Sequence, residues 1–254
     1  MGKVIAIGNQ KGGVGKTTTT VNLGAALAIQ GKKVLILDMD SQGNATSGLG
    51  IERADVKQSM FEILVDQIEM ESCILPTTRE NLWIVPSTLQ LAGAELELAA
   101  ANQREARLKL ALETVRTQYD YILIDCPPSL GQLSLNAFTA SDTILIPVQC
   151  EYYALEGLSQ LLNTIRLVQR TYNKAFRIEG VLLTMLDPRT NLGYEVVEEV
   201  RKYFQEKVYQ TIITRNVRLS EAPSYGQSVI DYDPRSRGAE AYMELAKEVL
   251  ANGD

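Results

Sequence analysis

The chain has 254 residues, a formal net charge of −6, three cysteines and no histidine. Without histidine, the usual general base and any triad built on it are excluded, so proton transfer must be arranged by carboxylates, lysines and a metal. Cys73, Cys126 and Cys150 are widely spaced with no CxxC pair, which excludes the usual zinc and iron–sulfur patterns, and 45% apolar residues suffice for one large core.

No Pro/Ser-rich linker, charge block or repeat interrupts the chain, so residues 1–254 are expected to form a single domain. An apolar strand begins near residue 4, which leaves no room for a signal peptide or a separate DNA-binding module ahead of it. The apolar runs are too short and too interrupted by charge to span a bilayer, and a soluble cytoplasmic protein is expected.

Residues 4–7 (Val-Ile-Ala-Ile) read as a buried strand and 19–30 as a helix. Between them stands Asn9-Gln10-Lys11-Gly12-Gly13-Val14-Gly15-Lys16-Thr17-Thr18. Strand, glycine loop and helix form a phosphate-binding context: the glycines let backbone N–H groups approach an anion, and the helix adds its positive dipole end. Lys16 supplies a cation for terminal phosphates and the Thr17 hydroxyl a ligand for Mg²⁺. The common pattern has glycine where Gln10 stands; here Lys11 precedes Gly12-Gly13, giving the loop two lysines.

Gly31 reads as a helix stop, and the strand at 33–37 ends in Asp38-Met39-Asp40, carboxylates at the strand end where α/β folds place ligands. Residues 41–46 are too polar and small for an element and read as a loop. Residues 58–75 read as an amphipathic helix, 82–86 as a strand, and 89–101 and 104–118 as helices. The strand at 121–125 ends in Asp125, an arrangement that holds Mg²⁺ through water, and Pro127-Pro128 fix the exit, as suits a hinged switch sensing the terminal phosphate. A strand at 143–148 leads through 149–157 to a long helix ending at 172. Strands at 178–185 and 208–213 flank a helix at 193–206. At least seven strands separated by helices specify a doubly wound, mostly parallel sheet flanked by helices.

Charge is uneven: residues 166–218 carry ten Lys/Arg against six Asp/Glu, +4, and the remainder is −10. A basic face for a polyanion and scattered solvated side chains both fit this pattern.

The two-lysine loop, together with Asp125-Cys126-Pro127-Pro128-Ser129, Pro147-Val148-Gln149-Cys150-Glu151-Tyr152 and Asn216-Val217-Arg218-Leu219-Ser220-Glu221-Ala222-Pro223, resembles the ParA family of partition ATPases within the deviant-Walker ParA/MinD superfamily, and most of all its short chromosomal branch, Soj. The resemblance covers nearly the whole chain. It implies binding and hydrolysis of ATP with Mg²⁺, with Gly12, Gly13, Val14, Gly15, Lys16, Thr17 and Thr18 on the phosphates, Thr17 and Asp125 at the metal, and Asp40 positioning the attacking water. Lys11 would reach across an ATP-dependent homodimer to the partner's nucleotide. Ser41 replaces the proline usual between Asp40 and Gln42. Thr214-Arg215-Asn216 stands where the family often has P-x-N, a segment after the penultimate strand that cradles adenine. The family's DNA contacts match Arg189 and Arg218, both expected in loops, where pairing with a nearby acid is the alternative. The implied partners are nonspecific double-stranded DNA, a ParB/Spo0J-type protein that stimulates hydrolysis and, in some relatives, a replication initiator; the implied location is the nucleoid.

A MinD-like membrane-cycling ATPase would share the phosphate site but end in a basic amphipathic helix, whereas residues 240–254 are acidic, so no membrane partner is expected. Dethiobiotin synthetase-like and nitrogenase iron-protein-like relatives are further rivals; the latter needs cysteines poised for a cluster. Another deviant-Walker regulatory ATPase or a nonenzymatic nucleotide-gated scaffold completes the set.

Overall fold

Short apolar runs with both faces buried can satisfy their backbone only by pairing with one another, and they form the centre of an eight-stranded sheet. The structure, a computed structural model, describes residues 1–151 and 158–252. In chain order it contains β1 (Lys3–Ile7), α1 (Lys16–Ile29), β2 (Val34–Asp38), α2 (Asn44–Gly48), α3 (Met60–Leu64), β3 (Leu75–Pro76), β4 (Leu82–Val85), α4 (Ala94–Ala99), α5 (Arg107–Leu112), β5 (Tyr121–Asp125), α6 (Gln132–Ala140), β6 (Thr143–Gln149), α7 (Leu158–Thr171), β7 (Arg177–Leu186), α8 (Asn191–Phe204), β8 (Val208–Thr214), α9 (Val217–Glu221), α10 (Val229–Tyr232) and α11 (Arg237–Ala251).

The strand order is β3-β4-β2-β5-β1-β6-β7-β8, parallel throughout except for the edge pair β3–β4. Alternation along each strand feeds two cores. Ile5, Ile7, Ile36 and Leu123 meet α1 and α11 on one face, while Val4, Ala6, Leu35 and Ile124 meet the layer that includes α5, α6, α7 and α8 on the other. Helix α1 is buried almost all round, whereas α7 and α8 bury one stripe each. β1 has β5 on one side and β6 on the other, so the loop after it opens at the point where the winding reverses, the usual crevice of such sheets.

Several elements depart from expectation. Helix α1 starts at Lys16, which puts Lys16 and Thr17 in its first turn. Residues 41–46 are not wholly loop, because α2 begins at Asn44 behind Gly43 at φ +63°. The single helix expected over 58–75 is broken. Ser59 and Glu62 form a capping box for α3, then Gln67 adopts φ +57°, and a 3₁₀ turn at Met70–Cys73 leads into β3. Residues 89–101 divide into a 3₁₀ turn (Leu89–Gly93) and α4, and 104–118 into α5 and a second 3₁₀ turn (Arg116–Gln118). Helix α6, not anticipated, buries Leu133, Ala137 and Phe138. The end of the 149–157 stretch, including Tyr152, lies outside the described residues. Among the described residues no helix is long and apolar enough to cross a membrane.

Gly226 and Gly50, both at positive φ, meet backbone to backbone: a Cβ on Gly226 would lie 2.6 Å from the Gly50 Cα. At Gly31, φ is +79° but no atom is near an added Cβ. Gly31→Ala is therefore expected to cost about 1–2 kcal/mol from backbone conformation alone. Gly226→Ala is expected to lower the melting temperature distinctly further; equal shifts for the two variants would contradict the close approach.

Candidate functional site: a glycine loop over two buried carboxylates

Gly13 (φ +72°) and Gly15 (φ +88°) carry the loop through the left-handed region, and space is open above both Gly12 and Gly13. The loop is fixed from below. Asn9 Nδ2 donates to the Pro147 carbonyl of β6 (2.7 Å) while its Oδ1 accepts from Lys11 N (3.0 Å), and Thr184 Oγ1 of β7 donates to the Val14 carbonyl (2.9 Å). Lys16 folds back so that Nζ donates to the Lys11 carbonyl (3.1 Å). Burial pushes its pKa down against the pull of the nearby Asp125 carboxylate.

Beneath the loop, β2 and β5 pair in parallel with Asp38 directly opposite Asp125, and both side chains are fully buried. Thr17 Oγ1 (2.7 Å) and Thr20 Oγ1 (3.2 Å) donate to Asp125. Asp38 accepts from Thr46 N (2.9 Å), Thr46 Oγ1 (2.7 Å) and Asp40 N (3.2 Å), and Thr46 Oγ1 in turn accepts from Ser87 N (3.0 Å) beyond β4. Desolvation, with mutual repulsion second for Asp125, raises the pKa of both carboxyls well above the ordinary range. Asp40 sits half-buried at the edge; its Oδ1 accepts from Gln42 N (3.0 Å) and its carbonyl from Gly43 N (2.9 Å).

No group of three or more His, Cys, Asp or Glu able to cage a metal occurs among the described residues. A hydroxyl in contact with a buried, under-neutralised carboxylate instead suits Mg²⁺, which keeps most of its waters and takes only one or two protein ligands.

Beside the loop opens a cavity of about 480 Å³, lined by Gly15, Thr18, Met185, Thr214 and Asn216 among others. Thr214 ends β8, which is the last strand rather than the penultimate one, because the described chain after it folds as helices, α11 packing back against α1 and β8. Asn216 caps α9, its Oδ1 accepting from Arg218 N (2.9 Å). Lys11 Nζ lies 3.8 Å from Glu151, whose other oxygen is 3.1 Å from Arg215.

Residues 2–178 match the family described as an AAA domain. Over 253 residues the chain is 69% identical to the sporulation initiation inhibitor protein Soj of Bacillus subtilis (strain 168), covering 100% of both chains. The chain belongs to the ParA/Soj family of chromosome-partitioning ATPases. It is 52% identical to the chromosome partitioning protein ParA of Myxococcus xanthus, over 98% of this chain and 88% of that one. A solved structure described as cobyrinic acid a,c-diamide synthase from Mycobacterium smegmatis, with ADP and magnesium bound, superposes with TM-score 0.88 at 36% identity, covering 100% of this chain and 96% of that one. MinD of Pyrococcus horikoshii, complexed with Mg-ADP, gives TM-score 0.80 at 28% identity over 99% and 98% of the two chains.

In this ParA/Soj-family chain the segment 166–218 does not form one basic face. Arg189, Arg215 and Arg218 follow the carboxyl ends of β7 and β8, whereas Arg177 opens β7 and Lys207 precedes β8, and these two line a separate cavity of about 670 Å³ at the amino ends of the strands. Arg189 stands in the turn after β7 as expected, paired with Asp187 (2.7 Å). Arg218 is not in a loop: it lies in the first turn of α9, because Asn216 caps the helix just before it, and it pairs with Glu221 (2.8 Å) and Asp233 (3.2 Å). Sequence reasoning missed Asn9, Thr20, Thr46, Ser87, Thr184 and Glu151. Thr20 carried a signal, one turn beyond Lys16 on the same helix face; Ser87 carried none.

Thr46→Val leaves Asp38 short of a hydroxyl donor and Ser87 N without its acceptor, both in a dry interior. It is expected to destabilise the chain by roughly 1–3 kcal/mol in urea unfolding, with Thr46→Ser close to wild type. A Thr46→Val variant as stable as wild type would contradict this network.

Proposed function

We propose that this ATPase works as an ATP-dependent dimer that binds double-stranded DNA without regard to sequence and is stimulated by a ParB-type partner, at the nucleoid, in chromosome or plasmid partition. One observation carries the catalytic part: Lys16, Thr17, Asp125, Asp38 and Asp40 converge where the sheet reverses its winding, on backbone already shaped for a polyphosphate. ATP and Mg²⁺ are the cofactors that these groups fit. Residues 12–18 present N–H groups to the phosphates, Lys16 moves its ammonium from the Lys11 carbonyl to the terminal phosphates, and Thr17 with Asp125 holds the metal. Bound Mg²⁺ neutralises charge on the phosphate oxygens. Asp40 orients a water in line with the γ-phosphorus, and the γ-phosphoryl group passes to that water, leaving ADP and phosphate. Thr214 and Asn216 are assigned to the base. The domain is read as spanning residues 1–254.

Lys11 is the element of dimerisation. Its ammonium is half-exposed and tied in cis to Glu151, and reaching a partner's nucleotide means leaving that carboxylate. The open space above Gly12 and Gly13 is room for a second loop to approach. Asp40→Ala is expected to bind ATP and dimerise but to hydrolyse poorly, and Lys11→Ala to bind nucleotide as a monomer and lose the ATP dimer. Phosphate release and light scattering check the pair; wild-type turnover in the first, or a normal dimer in the second, removes the assignment.

The DNA contacts assigned here are Arg189 and Arg218, both at the phosphate-loop end of the sheet. A chain of net charge −6 binds a polyanion weakly, and two copies in one dimer raise affinity by avidity. Binding is therefore expected to need ATP, to ignore sequence and to fall steeply with salt. Arg218→Ala is expected to make the salt slope shallower by about one unit when one subunit's arginine meets a phosphate, and by about two when both subunits engage. Equal affinity with ADP, or an unchanged slope, would contradict the reading.

A further inference from the structure

Arg189 borders the nucleotide site as well as solvent. Arg189 is one of the residues that line the 480 Å³ cavity, with Gly15, Met185, Thr214 and Asn216. It is held there by a two-point clamp: Asp187 Oδ1 accepts from Arg189 Nε (2.9 Å) and Oδ2 from Nη2 (2.7 Å), while Oδ1 also takes the Arg189 backbone N–H (3.0 Å). The clamp is itself anchored. The Asp187 carbonyl accepts from Thr190 N (3.2 Å) and Thr190 Oγ1 (3.1 Å) ahead of α8, and the preceding Leu186 carbonyl accepts from Arg215 N (3.0 Å), which ties the Arg189 turn to the base segment. Paired through one edge, a guanidinium keeps Nη1 and both faces free, and its plane is fixed. The side chain is 85% exposed, so the protein leaves those faces uncovered.

From this geometry we infer that Arg189 is a specificity-determining residue of the nucleotide site, its Asp187-oriented guanidinium forming the outer wall of the base cavity and packing on the purine. The inference rests on the assignment of this cavity to the base. Asn216 spends its Oδ1 on capping α9, which leaves its N–H₂ group to donate to the edge of the ring; Arg189 supplies a flat, cationic face for the ring itself. The same arginine then serves two ligands, and the weaker DNA binding of an Arg189 variant includes its weaker nucleotide binding.

The test is calorimetric titration of the full-length chain with Mg-ADP and, separately, with Mg-pyrophosphate, which has phosphates but no base. Arg189→Ala is expected to weaken ADP about threefold to thirtyfold and to leave pyrophosphate unchanged. Arg189→Lys, which keeps the charge but not the plane, is expected to stay weakened, and Asp187→Asn, which loosens the clamp, to weaken ADP in the same sense. Arg189→Ala binding ADP like wild type overturns the inference, as does equal weakening of ADP and pyrophosphate, which would mark a long-range charge effect. A wild-type chain that binds pyrophosphate but neither ADP nor ATP would instead overturn the nucleotide reading, and this inference with it.

Discussion

Two carboxylates, Asp38 and Asp125, end neighbouring strands in register and are both fully buried. Removing one charge from water is costly and removing two side by side more so, unless donors and a cation compensate. The surrounding structure supplies that compensation. Thr17 and Thr20 donate from α1, Thr46 donates from α2, and the partly desolvated ammonium of Lys16 lies close enough to act on Asp125. The protein's own groups balance the charge only in part, and a divalent cation with an anionic polyphosphate completes the balance.

That constraint orders the elements around it. Placing β5 between β2 and β1 brings both aspartates beneath the loop that leaves β1. Asn9 and Thr184 fasten the loop to β6 and β7, so the glycines are held in shape by the sheet rather than by their own propensity. The chain after β2 turns at Gly43 into α2 because Asp38 draws in the amide and hydroxyl of Thr46, and this holds Asp40 at the rim. Glu151 sits between Lys11 and Arg215 and so links the glycine loop to the segment after β8 across the ends of β6 and β8.

Features confined to a few consecutive residues were legible in the sequence. The glycine loop announces itself by composition between a strand and a helix, and Asp38 and Asp125 by closing apolar runs. The parallel sheet followed from the alternation of strands and helices. What depends on strand order was not legible: that Asp38 faces Asp125, that Ser87 from beyond β4 reaches Thr46, and that the basic segment divides between the two ends of β7 and β8. Residues 58–75 have a helix's apolar spacing, but Gln67 at φ +57° turns the chain out, a tertiary choice that periodicity does not report. Residues 214–216 and Arg189 fall on opposite sides of a helix and strand in sequence, so only the fold puts them on one cavity.

Taken by itself, the site holds an excess of buried negative charge that its ligands neutralise. Burial raises the affinity of the Asp38 and Asp125 carboxyls for protons, and a cation bound beside them competes with those protons. Titrating Mg-ADP into the chain at one pH, in buffers of different ionisation enthalpy, counts those protons directly. Net proton release beyond that from mixing ADP with Mg²⁺ alone is expected. Binding with no proton release, or with uptake, would contradict that charge excess.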